Sequence, residues 1–269
     1  MGIVNVTPDS FSDGAQFLDS AEAVAHGRRL VDDGADILDV GGESTRPGAQ
    51  PLGLDEELRR VLPVIEGLRG LPVPVSIDTY KPEVMRAALG AGASMINDVN
   101  ALRSEGALAV ARESDCAVCL MHMQGNPQTM QLDPQYRDVV AEVREFLARR
   151  VAACEAAGIG RDRLVVDPGF GFGKTKAHNL ELLRHLDVIA GLGLPVLAGL
   201  SRKSTLGKIT GKPAPERVSE SAAAALLAVQ RGATIVRVHD VDATRDALMV
   251  LAAVEGPATR HPPTRRFDG

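Results

Sequence analysis

The stretch Val73-Pro-Val-Ser-Ile-Asp-Thr-Tyr-Lys-Pro-Glu-Val-Met-Arg-Ala-Ala-Leu-Gly-Ala-Gly-Ala-Ser-Met-Ile-Asn-Asp-Val99 sets two short apolar runs on either side of a longer amphipathic one. The runs 73–78 and 95–99 read as strands. The segment between them, roughly 81–92, reads as a helix that stops near Gly90 and Gly92. This is a βαβ unit. Each of its strands finishes on polar residues, Asp78 in one case and Asn97-Asp98 in the other.

The same pattern repeats in both directions. Further strands are expected at 2–6, 36–41, 116–121, 164–167, 195–200 and 234–238. Helices are expected at 19–33, 54–69, 103–114, 135–158, 177–191, 216–231 and 242–254. Parallel strands covered on both faces should be almost continuously apolar, and these are. Eight alternating units with no linker favour one closed barrel over an open sheet. The expected class is therefore α/β, a single (β/α)8 TIM barrel over 1–256, with 257–269 a frayed tail. The length, 269 residues, is close to the roughly 250 typical of that fold.

The net charge of −5 argues against a nucleic-acid partner. No apolar run approaches the length of a membrane span, and the opening Met1-Gly-Ile-Val-Asn-Val6 has no basic leader region. Three cysteines, Cys116, Cys119 and Cys154, suggest no disulfide framework and a reducing, cytoplasmic setting. Cys116 and Cys119 form a C-x-x-C inside an apolar strand, where positions i and i+3 face opposite sides. They are expected to be buried structural thiols.

Polar residues close every strand: Asn5, then Asp39 with Gly41–Arg46, then Asp78, Asn97-Asp98, His122, Asp167, Ser201–Ser204, and finally Arg237 with His239. Singly, each could be a helix cap or a turn residue. Together they converge on one mouth, where barrels carry their active sites. Three long loops, 7–18, 43–53 and 122–134, surround it. Asp78, Asn97 and Asp167 suit the donor-bearing edge of a flat heterocycle. Lys203 and Arg237 supply cations, and Asn5 with Arg237 and His239 suits an anion, with or without Mg2+. Pro168-Gly-Phe-Gly-Phe-Gly-Lys-Thr175 resembles a phosphate-binding loop, but Pro168 stands where its first glycine is required. Its glycines read better as a tight exit from the strand.

The segments Gly2–Gly14, Asp39–Ala49, Ser76–Pro82, Ile96–Asp98, Leu120–Met123, Asp167–Lys174, Ser201–Lys203 and Arg237–Asp240 resemble, in order and spacing, the dihydropteroate synthases of folate biosynthesis. The resemblance runs from residue 2 to about 254. It implies condensation of 6-hydroxymethyl-7,8-dihydropterin diphosphate with p-aminobenzoate, with release of diphosphate. It also implies that Asp78, Asn97, Asp167 and Lys203 hold the pterin and that Met121 and Phe172 line its pocket. Arg237 would stack on the ring and bind diphosphate with His239 and Asn5, and Asn5 would ligate Mg2+. The loops bearing Asp9, Phe11 and Ser12, and Thr45, Arg46 and Pro47, would close over p-aminobenzoate. Ser204, at the start of the following helix, would meet its carboxylate. Sulfonamide sensitivity and a homodimer, with Ser221–Val229 as a candidate interface, follow from the same likeness. Competing readings are a methyltetrahydrofolate–corrinoid methyltransferase, a Schiff-base aldolase using Lys203, and a non-catalytic pterin binder. His122 and Asp39 receive no definite role.

Overall fold

The structure, a computed structural model, describes residues 1–6, 16–45 and 48–256. Strands β1 (Gly2–Asn5), β2 (Leu38–Gly41), β3 (Val75–Asp78), β4 (Met95–Asp98), β5 (Ala117–Met121), β6 (Leu164–Asp167), β7 (Leu197–Ala198) and β8 (Ile235–Val236) coincide with the eight expected runs. Between and after them come α1 (Gln16–Asp32), α2 (Leu54–Leu68), α3 (Pro82–Ala91), α4 (Ala107–Arg112), α5 (Val139–Ala156), α6 (Lys176–Arg184), α7 (Leu186–Ala190), α8 (Ser204–Thr210), α9 (Val218–Val229) and α10 (Val241–Glu255).

All pairings are parallel. β1 to β6 pair each with the next, and β7 pairs with β8. Single bridges, Val166 with Val196 and Gly2 with Val238, join the two ladders into a closed barrel. At the second seam Ile3 N–H donates to Val238 O at 3.1 Å and Val238 N–H to Met1 O at 2.9 Å.

Register decides which residues look inward. Asn5, Gly41, Asp78, Asn97, Cys119 and Val165 stand side by side across the first six strands. Side chains alternate along a strand, so this row shares a face. The alternate set, including Val4, Val40, Ile77, Ile96, Val118 and Val166, lies in the large core between strands and helices. Inside the barrel, Met1, Met95, Cys119, Val165 and Leu197 form a separate apolar plug with Ile37, Ala117 and Ile235. Cys116 belongs to the outer core and Cys119 to the plug, as their strand spacing requires, and all three thiols are free and buried.

Helix ends differ from the expectations where local chemistry intervenes. The stretch 135–158 becomes helical only at Val139, because the Asp138 carboxylate accepts the N–H groups of Val140 and Ala141, both at 3.0 Å. The stretch 103–114 is reduced to α4, since the chain first turns through Ala101 (φ 54°) and Leu102 (φ 55°). Asp98 receives Leu102 N–H at 2.7 Å, and Arg150 donates to Ala101 O at 2.8 Å. The expected helix 177–191 breaks at His185 (φ −114°, ψ 35°) into α6 and α7. Helix α8, too short and too mixed for periodicity to announce, starts at Ser204. No described helix is long and apolar enough to cross a membrane.

Candidate active site

Arg237, on the inner face just past β8, is the centre of the mouth. Its Nε donates to Asp39 Oδ2 at 2.6 Å and its Nη2 to Asp78 Oδ2 at 2.9 Å. The same Asp39 oxygen accepts Asn97 Nδ2 at 2.9 Å. Burial works against the Arg237 charge, but the two carboxylates outweigh it and hold the guanidinium more firmly protonated than usual. Burial pushes the Asp78 carboxyl up, with Arg237 opposing. Asp167 is also raised by burial, against the pull of Gly169 N–H, which donates to its Oδ1 at 2.7 Å, and of Lys203 and Lys174. Asp39 Oδ1 and Ser76 Oγ, neighbours in register, are buried without a protein partner.

The cationic side is built by the turn 201–203. Arg202 is left-handed (φ 57°). It is pinned by its pairing with Asp240 and by donation from its N–H to Ser221 Oγ at 3.0 Å. That turn aims Lys203 inward, where Nζ donates to Phe170 O at 2.5 Å and sits 4.1 Å from the centre of the Phe172 ring. Burial lowers its pKa to about 8, with Asp167 opposing. Ser201 Oγ accepts His239 N–H at 3.2 Å and lies 2.9 Å from His239 Nδ1. A hydroxyl that accepts the first can donate to the second, which leaves the ring proton on Nε2.

Between these groups lies an apolar slot of Val99, Met121, Met123 and Met130, joined by Tyr80 and Phe172. A slot rimmed by carboxylates and by the two cations Arg237 and Lys203 suits a flat, donor-rich heteroaromatic ring carrying an anion.

Residues 1–239 match the family described as pterin binding enzymes. The dihydropteroate synthase of Neisseria meningitidis serogroup B is 54% identical over 94% of this chain and 92% of its own length. The chain belongs to the dihydropteroate synthases. The Xanthomonas albilineans dihydropteroate synthase structure with 4-aminobenzoic acid matches at 57% identity and a TM-score of 0.90, covering 96% of this chain and 93% of that one. The Yersinia pestis dihydropteroate synthase in a sulfonamide drug complex matches at 45% identity and a TM-score of 0.90, covering 94% and 93%.

Among the residues expected to form a dihydropteroate synthase site, Asp78, Asn97, Met121, Asp167, Phe172, Lys203 and Arg237 meet at this mouth. Asn5 is half-buried at the end of β1, opposite Gly41. Its side-chain oxygen is a hard donor suited to Mg2+ that keeps waters and substrate oxygens as its other ligands. No cluster of three or more His, Cys, Asp or Glu that could cage a metal occurs among the described residues. Thr45 is half-buried and Ser204 exposed. Asp9, Phe11, Ser12, Arg46 and Pro47 lie outside the described residues, as does the tail 257–269.

Three features go beyond the sequence reading. Asp39 anchors Arg237 and Asn97. His122 pairs with Lys174, their ring and amine nitrogens 2.9 Å apart. Lys81 pairs with Glu43 and the fully buried Glu57, while Thr79 Oγ1 donates to Glu57 at 2.6 Å and Tyr80 OH to Glu43 at 2.9 Å. Only the acidic and basic identities in 43–81 signalled that network.

Proposed function

We propose specific roles for the residues of this mouth in the reaction of the family. The chain is a transferase of folate biosynthesis that joins 6-hydroxymethyl-7,8-dihydropterin diphosphate to p-aminobenzoate and releases diphosphate. Asp78, Asn97 and Asp167 take the donor edge of the pterin, Lys203 its acceptor edge, and Met121 and Phe172 its faces. Arg237 and His239 hold the diphosphate, and Asn5 holds Mg2+, which when bound adds positive charge there. The pterinylmethyl C–O bond breaks first, its electron pair leaving with diphosphate. Asp78 and Asp167 stabilise the cationic ring that remains, and the neutral arylamine attacks it through its nitrogen lone pair, the resulting ammonium losing one proton to water or to the released diphosphate. Charge stabilisation of this kind is commonly the largest catalytic contribution. The loops of Phe11 and of Thr45, Arg46 and Pro47 close over p-aminobenzoate, and Ser204 receives its carboxylate.

The observation that carries this reading is the arrangement of Arg237 between Asp39 and Asp78, with Lys203 over Phe172 on the facing wall. A product assay with both substrates and Mg2+ tests it. Lys203→Ala should lose activity while keeping its fold, and full activity in that variant would overturn the pterin assignment. A sulfonamide should compete with p-aminobenzoate.

Residues 1–256 make one barrel domain, and the three buried thiols are suited to the reducing cytoplasm. The chain pairs with a second copy. The exposed apolar residues Leu227 on α9 and Met249, Val250 and Val254 on α10 support that partner. A monomer in sedimentation at micromolar concentration would exclude it.

A further inference from the structure

Five consecutive carbonyls, from Gly169 to Gly173, each receive a side-chain donor. Lys174 Nζ donates to Gly169 O and to Phe172 O, both at 2.9 Å. Lys203 Nζ takes Phe170 O, Gln131 Nε2 takes Gly171 O at 2.5 Å, and Tyr136 OH takes Gly173 O at 2.7 Å. From the other side, Asn179 Oδ1 accepts Gly171 N–H at 2.7 Å. The backbone can pass so closely because Gly169, Gly171 and Gly173 are left-handed, with φ of 68°, 81° and 61°. A Cβ on Gly169 would stand 1.9 Å from His122 O. Turn formation alone does not call for this many side-chain donors on one short segment.

Lys174 is the buried member of the set, only 3% exposed. Besides the two carbonyls, its amine lies 2.9 Å from His122 Nδ1 and 3.3 Å from His122 O. No carboxylate forms an ion pair with it among the described residues. Its three short contacts, two to carbonyls and one to a ring nitrogen, use the full hydrogen-bonding capacity of the amine. His122 is in turn packed edge-on against Phe146, 4.9 Å between ring centres. The segment thus held presents Phe172 to the slot and Phe170 O to Lys203.

We infer that Lys174 is a positioning residue for the pterin pocket, fixing the segment 169–173 so that Phe172 and Lys203 stand where the ring must lie. This rests on the assignment of that slot to the pterin. Lys174 itself touches neither substrate. It works through the carbonyls of Gly169 and Phe172, which its amine nitrogen holds in place. Tyr136 and Gln131 complete the same support from the 122–138 loop.

The test is equilibrium binding of a pterin by fluorescence, together with KM for each substrate, in the wild-type protein, Lys174→Met and Tyr136→Phe. Lys174→Met should weaken pterin binding by about tenfold or more, as loss of groups that orient direct ligands does elsewhere. Tyr136→Phe, which removes one hydroxyl and should fold normally, should weaken it by about fivefold, one hydrogen bond's worth. KM for p-aminobenzoate at saturating pterin should stay within about twofold in both, because that substrate is held from the other loops. Losses shared equally by the two substrates, or pterin binding unchanged in the folded variants, would overturn the inference. Should Lys174→Met not fold, Tyr136→Phe decides alone by the same criterion. A wild-type protein that binds no pterin would instead overturn the slot assignment.

Discussion

Lys81 stands between two carboxylates, whereas Lys174 stands among carbonyl oxygens and an imidazole. Each ties down a loop at the mouth. Lys81 fixes Glu43, where the loop toward Thr45 begins, and Lys174 fixes the exit from β6. Their protonation moves in opposite directions. Burial works against the charge of Lys81, but the hydrogen bonds to Glu43 and Glu57 outweigh it and raise its pKa. Burial lowers that of Lys174 well below the usual lysine range, with Asp167 the main opposing influence. The same residue type therefore serves two supports, one by neutralising buried charge and one by ligating dipoles.

The largest expected effect tests the first support. Lys81→Met leaves Glu57 buried without its counterion and should cost about 3–5 kcal/mol in urea unfolding. Lys174→Met leaves neutral dipoles unpaired and should cost about 1–3 kcal/mol by the same measurement. Equal losses would break the distinction. Next, Gly169→Ala forces a side chain onto His122 O in a left-handed position and should cost on the order of 1–3 kcal/mol; a variant as stable as the wild type would show that the β6 exit is not tightly specified.

The last effect, small over any single pH unit, is in the pH dependence. Burial, with the Lys174 charge next, lowers the pKa of His122 to about 2. An unfolded histidine takes its proton near 6.5, so below that pH the unfolded chain binds a proton that the folded one does not. Stability therefore falls with acidification, by about 1.4 kcal/mol per pH unit from this group. His122→Gln should remove that slope between about pH 6.5 and pH 5 in paired unfolding titrations, and parallel curves would exclude a neutral, buried His122.

The strand ends were legible because a short, almost continuous apolar run and its polar stop are local signals. Asp78, Asn97, Asp167, Lys203 and Arg237 all announced themselves in that way, and the order of the family motifs supplied their chemistry. The role of Asp39 was not legible, since its partner Arg237 is 198 residues away and meets it only through barrel closure. Glu57 sits in Leu54-Asp-Glu-Glu-Leu58, which reads as a solvated first turn of a helix. Nothing local marks it as the residue that faces Thr79 and Lys81. Lys174 was hidden in a glycine-rich run whose likeness to a phosphate-binding loop drew notice to the glycines and away from the lysine.

The barrel wall consists of two pieces, a six-strand sheet and the β7–β8 pair, joined by one bridge at each seam. The charges of the mouth are sorted between them. Asp39, Asp78, Asn97 and Asp167 belong to the larger piece, while Lys203, Arg237 and His239 follow β7 and β8. A ligand gripped by both sets therefore spans both seams, like a hoop around staves. Its binding energy adds to the work of parting them, by an amount that grows with the logarithm of its concentration above Kd. Amide hydrogen exchange at Val166 and Val238, the residues that bridge the two seams, is where that tightening would register.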